Sequence, residues 1–167
     1  MRSLTALLAA LALSNALAAP PLPAAVSRVV NTMNADCQGV GGKPGTSRGL
    51  VSAVDLNGDG RMDYVIYTGA FDCEGAASLF VGASGGSVEV FLSAADGSAA
   101  SAFEHGVADM RLEQGRLWLG VGGPLCGRKV GHDTPRSAMQ ACWRPLQWDA
   151  GRRKLDFAPL SSVRPYP

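Results

Sequence analysis

The 167-residue chain is short of several things that large functional classes require. Only 17% of its residues are charged and the formal net charge is +1, so it lacks the basic footprint of a nucleic-acid binder. Beyond its first residues it has no apolar run approaching the roughly 20 residues that a transmembrane helix needs. Its four cysteines include no C-x-x-C pair, which argues against a zinc site. It has two histidines, His105 and His132, and no G-x-S-x-G or similar nucleophile signature beside either. Glu104 and Asp133 stand next to them as conceivable orienters, and Glu104, Asp109 and Glu113 are the nearest approach to a paired-carboxylate hydrolase. Nothing in their spacing singles them out for catalysis.

What is present begins with an export pattern. Arg2 is a charged start, Leu4 to Leu13 is an uncharged run, and Ala16-Leu17-Ala18 is an A-x-A cleavage site. Cutting after Ala18 avoids leaving Pro20 at the first mature position. The expectation is a signal peptide over 1–18 and a single exported domain over 19–167, periplasmic or secreted and not integral to a membrane. No Cys follows the site, which argues against a lipoprotein. The abundance of Ala, Gly and Arg fits a GC-rich bacterial gene.

The cysteines, Cys37, Cys73, Cys126 and Cys142, all fall in that domain. An even number in an exported chain points to two disulfides. Three connectivities are possible. Pairing nearest neighbours, Cys37–Cys73 and Cys126–Cys142, brackets two local units and avoids long threading. A catalytic Cys–His pair would need a free thiol, which a fully paired set excludes.

Charge is unevenly spread along the chain. Residues 19–110 hold 4 basic and 10 acidic residues, and residues 111–167 hold 10 basic and 4 acidic. Either two faces pair within one domain or a dipolar surface meets a partner.

Val26, Val29, Val30 and Met33 recur at helical spacing and predict a helix over 24–35. Beta signals follow at 50–54, 64–67, 77–81 and 88–92. Hairpins are expected over 107–121, turning at Glu113-Gln114-Gly115, and over 143–157, turning at Asp149-Ala150-Gly151. Segments 39–49, 93–101 and 122–139 read as loops. The expected fold is α+β or mostly β, with one N-terminal helix and an antiparallel sheet of about seven short strands. Trp118, Trp143, Trp148, Phe80, Phe91 and Phe157 are its expected core.

The sharpest chemical signal is Asp55-Leu56-Asn57-Gly58-Asp59-Gly60-Arg61-Met62-Asp63. Ca²⁺ takes six to eight oxygens, and Asp55, Asn57 and Asp59 supply three at alternate positions while Gly60 permits a sharp turn. The Arg61 carbonyl and the Asp63 side chain complete the expected ligand set. Mg²⁺ suits the loop less well, because it retains more water.

The first half of this segment is similar to the calcium loop of EF-hands. The second half departs, because the twelfth position is Ile66 where an EF-hand has Glu. Asp at the ninth position between strand-like flanks resembles the calcium loops of FG-GAP and related repeats instead. A wider pattern resembles a group of small exported proteobacterial proteins. It runs from Cys37 through the loop, Phe71-x-Cys73-x-Gly75, Ser78-Leu79-Phe80-x-Gly82 and Cys126-Gly127. That resemblance implies the ion and the compartment, and no catalytic residue. The leading expectation is a non-enzymatic domain, stabilised by Ca²⁺ and two disulfides, that binds an unidentified protein or envelope component. A calcium-stabilised cell-envelope hydrolase and a periplasmic immunity protein against a toxin are the alternatives.

Overall fold

The computed structural model describes residues 21–83, 85–129, 131, 134 and 141–167. The signal-peptide expectation and the His132-Asp133 pair lie outside the described residues.

Helix α1, Ala24–Gly39, buries Val26, Met33 and Cys37 along one face. It runs one turn beyond the expected end. Cys37 stands four residues after Met33 and so extends the same buried stripe. The Cys37–Cys73 disulfide then ties that last turn to the body. Gly42 must pass close to this bridge, since a Cβ there would lie 2.5 Å from the Cys73 Sγ.

The strands are β1 (Lys43–Pro44), β2 (Val51–Val54), β3 (Asp63–Tyr67), β4 (Cys73–Glu74), β5 (Gly86–Ser93) and β6 (Ala99–Val107). They continue with β7 (Asp109–Glu113), β8 (Arg116–Gly122), β9 (Ala141–Asp149), β10 (Lys154–Phe157) and β11 (Arg164–Pro165). One sheet has the order β2-β3-β5-β6; a second has β10-β9-β8-β7 with β11 also on β9; β1 and β4 form a two-stranded ribbon. Every strand pairing is antiparallel. The expectation of one helix, antiparallel sheet and two disulfides describes the molecule.

Alternation along β3 sets the layers. Val65 and Tyr67 point into a core that also takes Val88, Val90 and Val107 from the first sheet and Leu117, Leu119, Val121 and Leu146 from the second. Tyr64 and Ile66 point the other way, onto Val26, Met33 and Phe91. The order is therefore helix, four-stranded sheet, five-stranded sheet, with a hydrophobic seam in each gap. The chain passes from the four-stranded to the five-stranded sheet through the single residue Ala108, between β6 and β7.

Several expectations need correction. Residues 77–81 form turns, not a strand. Residues 99–101, expected in a loop, begin β6, pairing with β5 across a register shift at Val90/Phe91. Val107 closes β6 and is not part of the next hairpin, which turns on Gln114 and Gly115, both at positive φ. Of the expected core aromatics, Phe91, Trp118 and Trp143 are buried as expected, the two tryptophans outside both core clusters, whereas Phe80, Trp148 and Phe157 are only half-buried.

The second bridge, Cys126–Cys142, fastens the short 3₁₀ turn Gly123–Cys126 to β9. Arg144 adds to this brace in a way the sequence did not announce. Its Nε donates to the Ala158 carbonyl at 2.8 Å and its Nη1 to the Leu125 carbonyl at 2.9 Å.

Candidate metal centre

β2 and β3 pair from Val51↔Ile66 to Val54↔Asp63, so residues 55–62 are the tip of a β-hairpin. The flanks are strands, as the departure from an EF-hand implied. Asp55 leaves β2 and turns its carboxylate onto the tip. Its Oδ1 accepts from the Gly58 amide at 2.8 Å and the Asp59 amide at 3.3 Å, and its Oδ2 from the Gly60 amide at 2.9 Å. Asn57 Oδ1 accepts from the Asp59 amide, and Asp59 Oδ1 from the Arg61 amide. Each of these three side chains thus fixes backbone two to five residues ahead, which is why Asp and Asn suit the positions.

Asp59 also accepts from the Asn57 amide nitrogen and meets the Arg61 guanidinium. The Arg61 backbone N–H, Asn57 and the Arg61 charge together hold the Asp59 carboxyl below its ordinary range. Arg61 reaches on to the Ser93 carbonyl from β5, and Ser93 Oγ donates to the Met62 carbonyl. The tip is therefore braced against the neighbouring hairpin.

Asp63 is the one buried charged residue among the described residues, at 0% exposure. Its Oδ2 accepts from the Leu56 amide and its Oδ1 from the Ser93 amide, both at 2.9 Å. Burial pushes its carboxyl up from the ordinary value, the two amide bonds oppose that, and the charges of Asp59 and Asp55 push it further up.

The structure thus gathers Asn57, Asp59 and Arg61 in direct contact, with Asp55 across the turn and Asp63 at its base. Among the described residues, no three His, Cys, Asp or Glu side chains stand together as a ready metal cluster. The amide bonds do not exhaust the donor set, because a carboxylate oxygen carries two lone pairs and one amide engages one of them. A hard cation fits this chemistry: all the donors are oxygens, several are anionic, and the carboxylate at the base of the turn has no cationic partner among the described residues. Sequence reasoning missed Ser93, whose backbone and hydroxyl brace the loop from 30 residues away.

No family model matches the chain, and neither the curated proteins nor the solved structures give a significant match.

Proposed function

We propose that this chain is an exported, non-enzymatic binding domain whose β2–β3 hairpin is clamped by one Ca²⁺. Asp55, Asn57, Asp59, the Arg61 carbonyl and Asp63 would hold the ion. The observation that carries this reading is Asp63. A fully buried carboxylate beside two further carboxylates costs stability unless a cation offsets it. The amides that lock Asp55, Asn57 and Asp59 support it by fixing their oxygens around one turn.

Two disulfides suit an oxidising compartment, and no helix among the described residues is long and apolar enough to cross a membrane. With the amino-terminal pattern at 1–18, this favours the periplasm or the exterior. The ion would act structurally, because both flanks are strands already paired within a four-stranded sheet. Such flanks have no helix pair to open as a calcium switch does.

Isothermal titration calorimetry with CaCl₂ checks the reading. One ion should bind per chain, and Asp59→Ala should weaken binding by a factor of ten or more. A wild-type chain that takes up no calcium at millimolar concentration would sink the proposal. The hydrolase and immunity alternatives have no specific observation in their favour. Among the described residues, Glu113 is the one acidic side chain that lines the recesses on the five-stranded sheet, and no histidine lines them.

A further inference from the structure

The outer face of the five-stranded sheet carries an arrangement unrelated to the metal loop. Register puts Arg111 opposite Trp118, and Gly120 opposite Trp143. β11 brings Arg164 opposite Trp143 from the other side. The arginines cross over. The Arg164 guanidinium lies 3.9 Å above the Trp118 ring, and that of Arg111 lies 4.1 Å above the Trp143 ring. Tyr166 packs on Trp143 with ring centroids 4.9 Å apart, over the space that Gly120 leaves open.

This explains why Trp118 and Trp143 are only 5% and 3% exposed although they lie on an outer face. Their cover is two charged side chains and, on Trp143, the Tyr166 ring. Arg111 and Arg164 themselves remain 44% and 60% exposed. Stacking fixes each guanidinium by its face and leaves the hydrogen-bonding edges outward.

Between the two edges stands Glu113, whose Oε1 is 3.6 Å from Arg111 and whose Oε2 is 3.6 Å from Arg164. At that distance neither contact is a hydrogen bond. Beside it lies a recess of about 150 Å³ lined by Glu113, Gln114, Arg116, Trp118 and Arg164. That is the volume of about five water molecules, enough for one carboxylate with part of its carrier. Among the described residues of the segment 111–167, 9 are basic and 3 acidic, so the site lies in the basic half of the chain.

We propose that Arg111, Arg116 and Arg164 form a recognition site for a carboxylate on an acidic glycan, such as a uronic acid. Glu113 is a loosely held internal occupant of that site. Planar guanidinium edges match a carboxylate with two parallel hydrogen bonds, and the Gln114 amide offers a donor and an acceptor to the hydroxyls of a sugar ring. An acidic peptide would use the arginines but carries no ring hydroxyls to donate to the Gln114 carbonyl. The proposal rests on reading the chain as a binding domain and names its ligand class, but it needs nothing from the metal loop.

The test is titration of the purified full chain with short galacturonate oligomers, in EDTA, followed by tryptophan fluorescence because Trp118 lies beneath Arg164. Saturable binding is expected, weakened at least tenfold in R164Q and in R116Q, and tightened several-fold in E113Q. R116Q removes an arginine that covers neither tryptophan, so it reports on binding even where R164Q fails to fold. Absence of saturable binding overturns the proposal, and so does wild-type affinity in R116Q. Equal affinity for polyglutamate replaces the glycan by an acidic peptide and overturns the assignment. Since EDTA removes calcium, failure here leaves the metal reading intact, and failure of calorimetry leaves this one intact.

Discussion

Replacing Cys37 and Cys73 together by alanine is expected to lower unfolding stability by about 4 kcal/mol, from the entropy of closing a loop of that length. The bridge spans 36 residues and joins the last turn of α1 to β4. Both sulfurs are buried, in the seam where Val26, Met33, Ile66, Phe71 and Phe91 meet. Without the bridge, α1 is held only by its apolar face, and a 16-residue helix has marginal stability alone. Fraying should begin at Gly39 and reach Met33, and amide exchange in α1 should accelerate before that of β8. The Cys126–Cys142 bridge closes a shorter loop of 16 residues and should contribute about 3 kcal/mol by the same argument. Guanidinium titration of each double variant measures both values. An unchanged midpoint for Cys37→Ala/Cys73→Ala would contradict the bracing role.

Asp63→Ala and Asp59→Ala should differ in kind. Asp63 receives the Leu56 and Ser93 amides at the base of the loop, so alanine orphans two amides where β3 meets β5. The expected loss is on the order of 3 kcal/mol in EDTA, from two unpaired part-buried donors, and is larger in saturating calcium, where a ligand is lost as well. Relief of the buried charge offsets part of that loss in the metal-free protein. Asp59 is part of an exposed tip, and its removal leaves the strand pairing intact. Its effect should be small in EDTA and should reach about 2–3 kcal/mol in saturating calcium, where a missing ligand removes the stabilisation that binding supplies. Thermal melts of both variants under the two conditions separate a residue that builds the hairpin from one that only holds the ion. Equal losses for Asp59→Ala in calcium and in EDTA would remove the metal from the account.

The parts of this fold that could be read from sequence are those where one residue type has few other uses. Asp55, Asn57, Asp59, Gly60 and Asp63 form a pattern over nine residues, and an oxygen-rich turn needs that spacing. Val26 to Met33 announces a helix by period, and its extension to Gly39 was hidden because Cys37 reads as a bridge residue before it reads as a helix residue. β6 was hidden for a different reason. Ala99, Ala100, Ser101 and Ala102 have little beta preference, and they become strand because β5 offers a partner. Conversely, 77–81 looks like a strand from Leu79, Phe80 and Val81 but has no neighbouring strand to pair with, and Leu79 stays exposed.

The arginine–tryptophan face was illegible on principle. Arg111 and Arg164 are far apart in the chain, and only the register of β7, β8, β9 and β11 brings them over two tryptophans. Trp118 and Trp143 looked like core because large aromatic residues are usually buried. They are buried, but beneath charge. The net charge near zero concealed the division between an acidic and a basic half of the chain.

The most direct test of the central claim is the melting temperature of the wild-type chain in excess calcium and in EDTA. Calcium at about a hundred times its dissociation constant should add about 2.7 kcal/mol. For a chain of this size that corresponds to roughly 5–10 °C. Identical melts in calcium and EDTA would contradict a calcium-clamped β2–β3 hairpin.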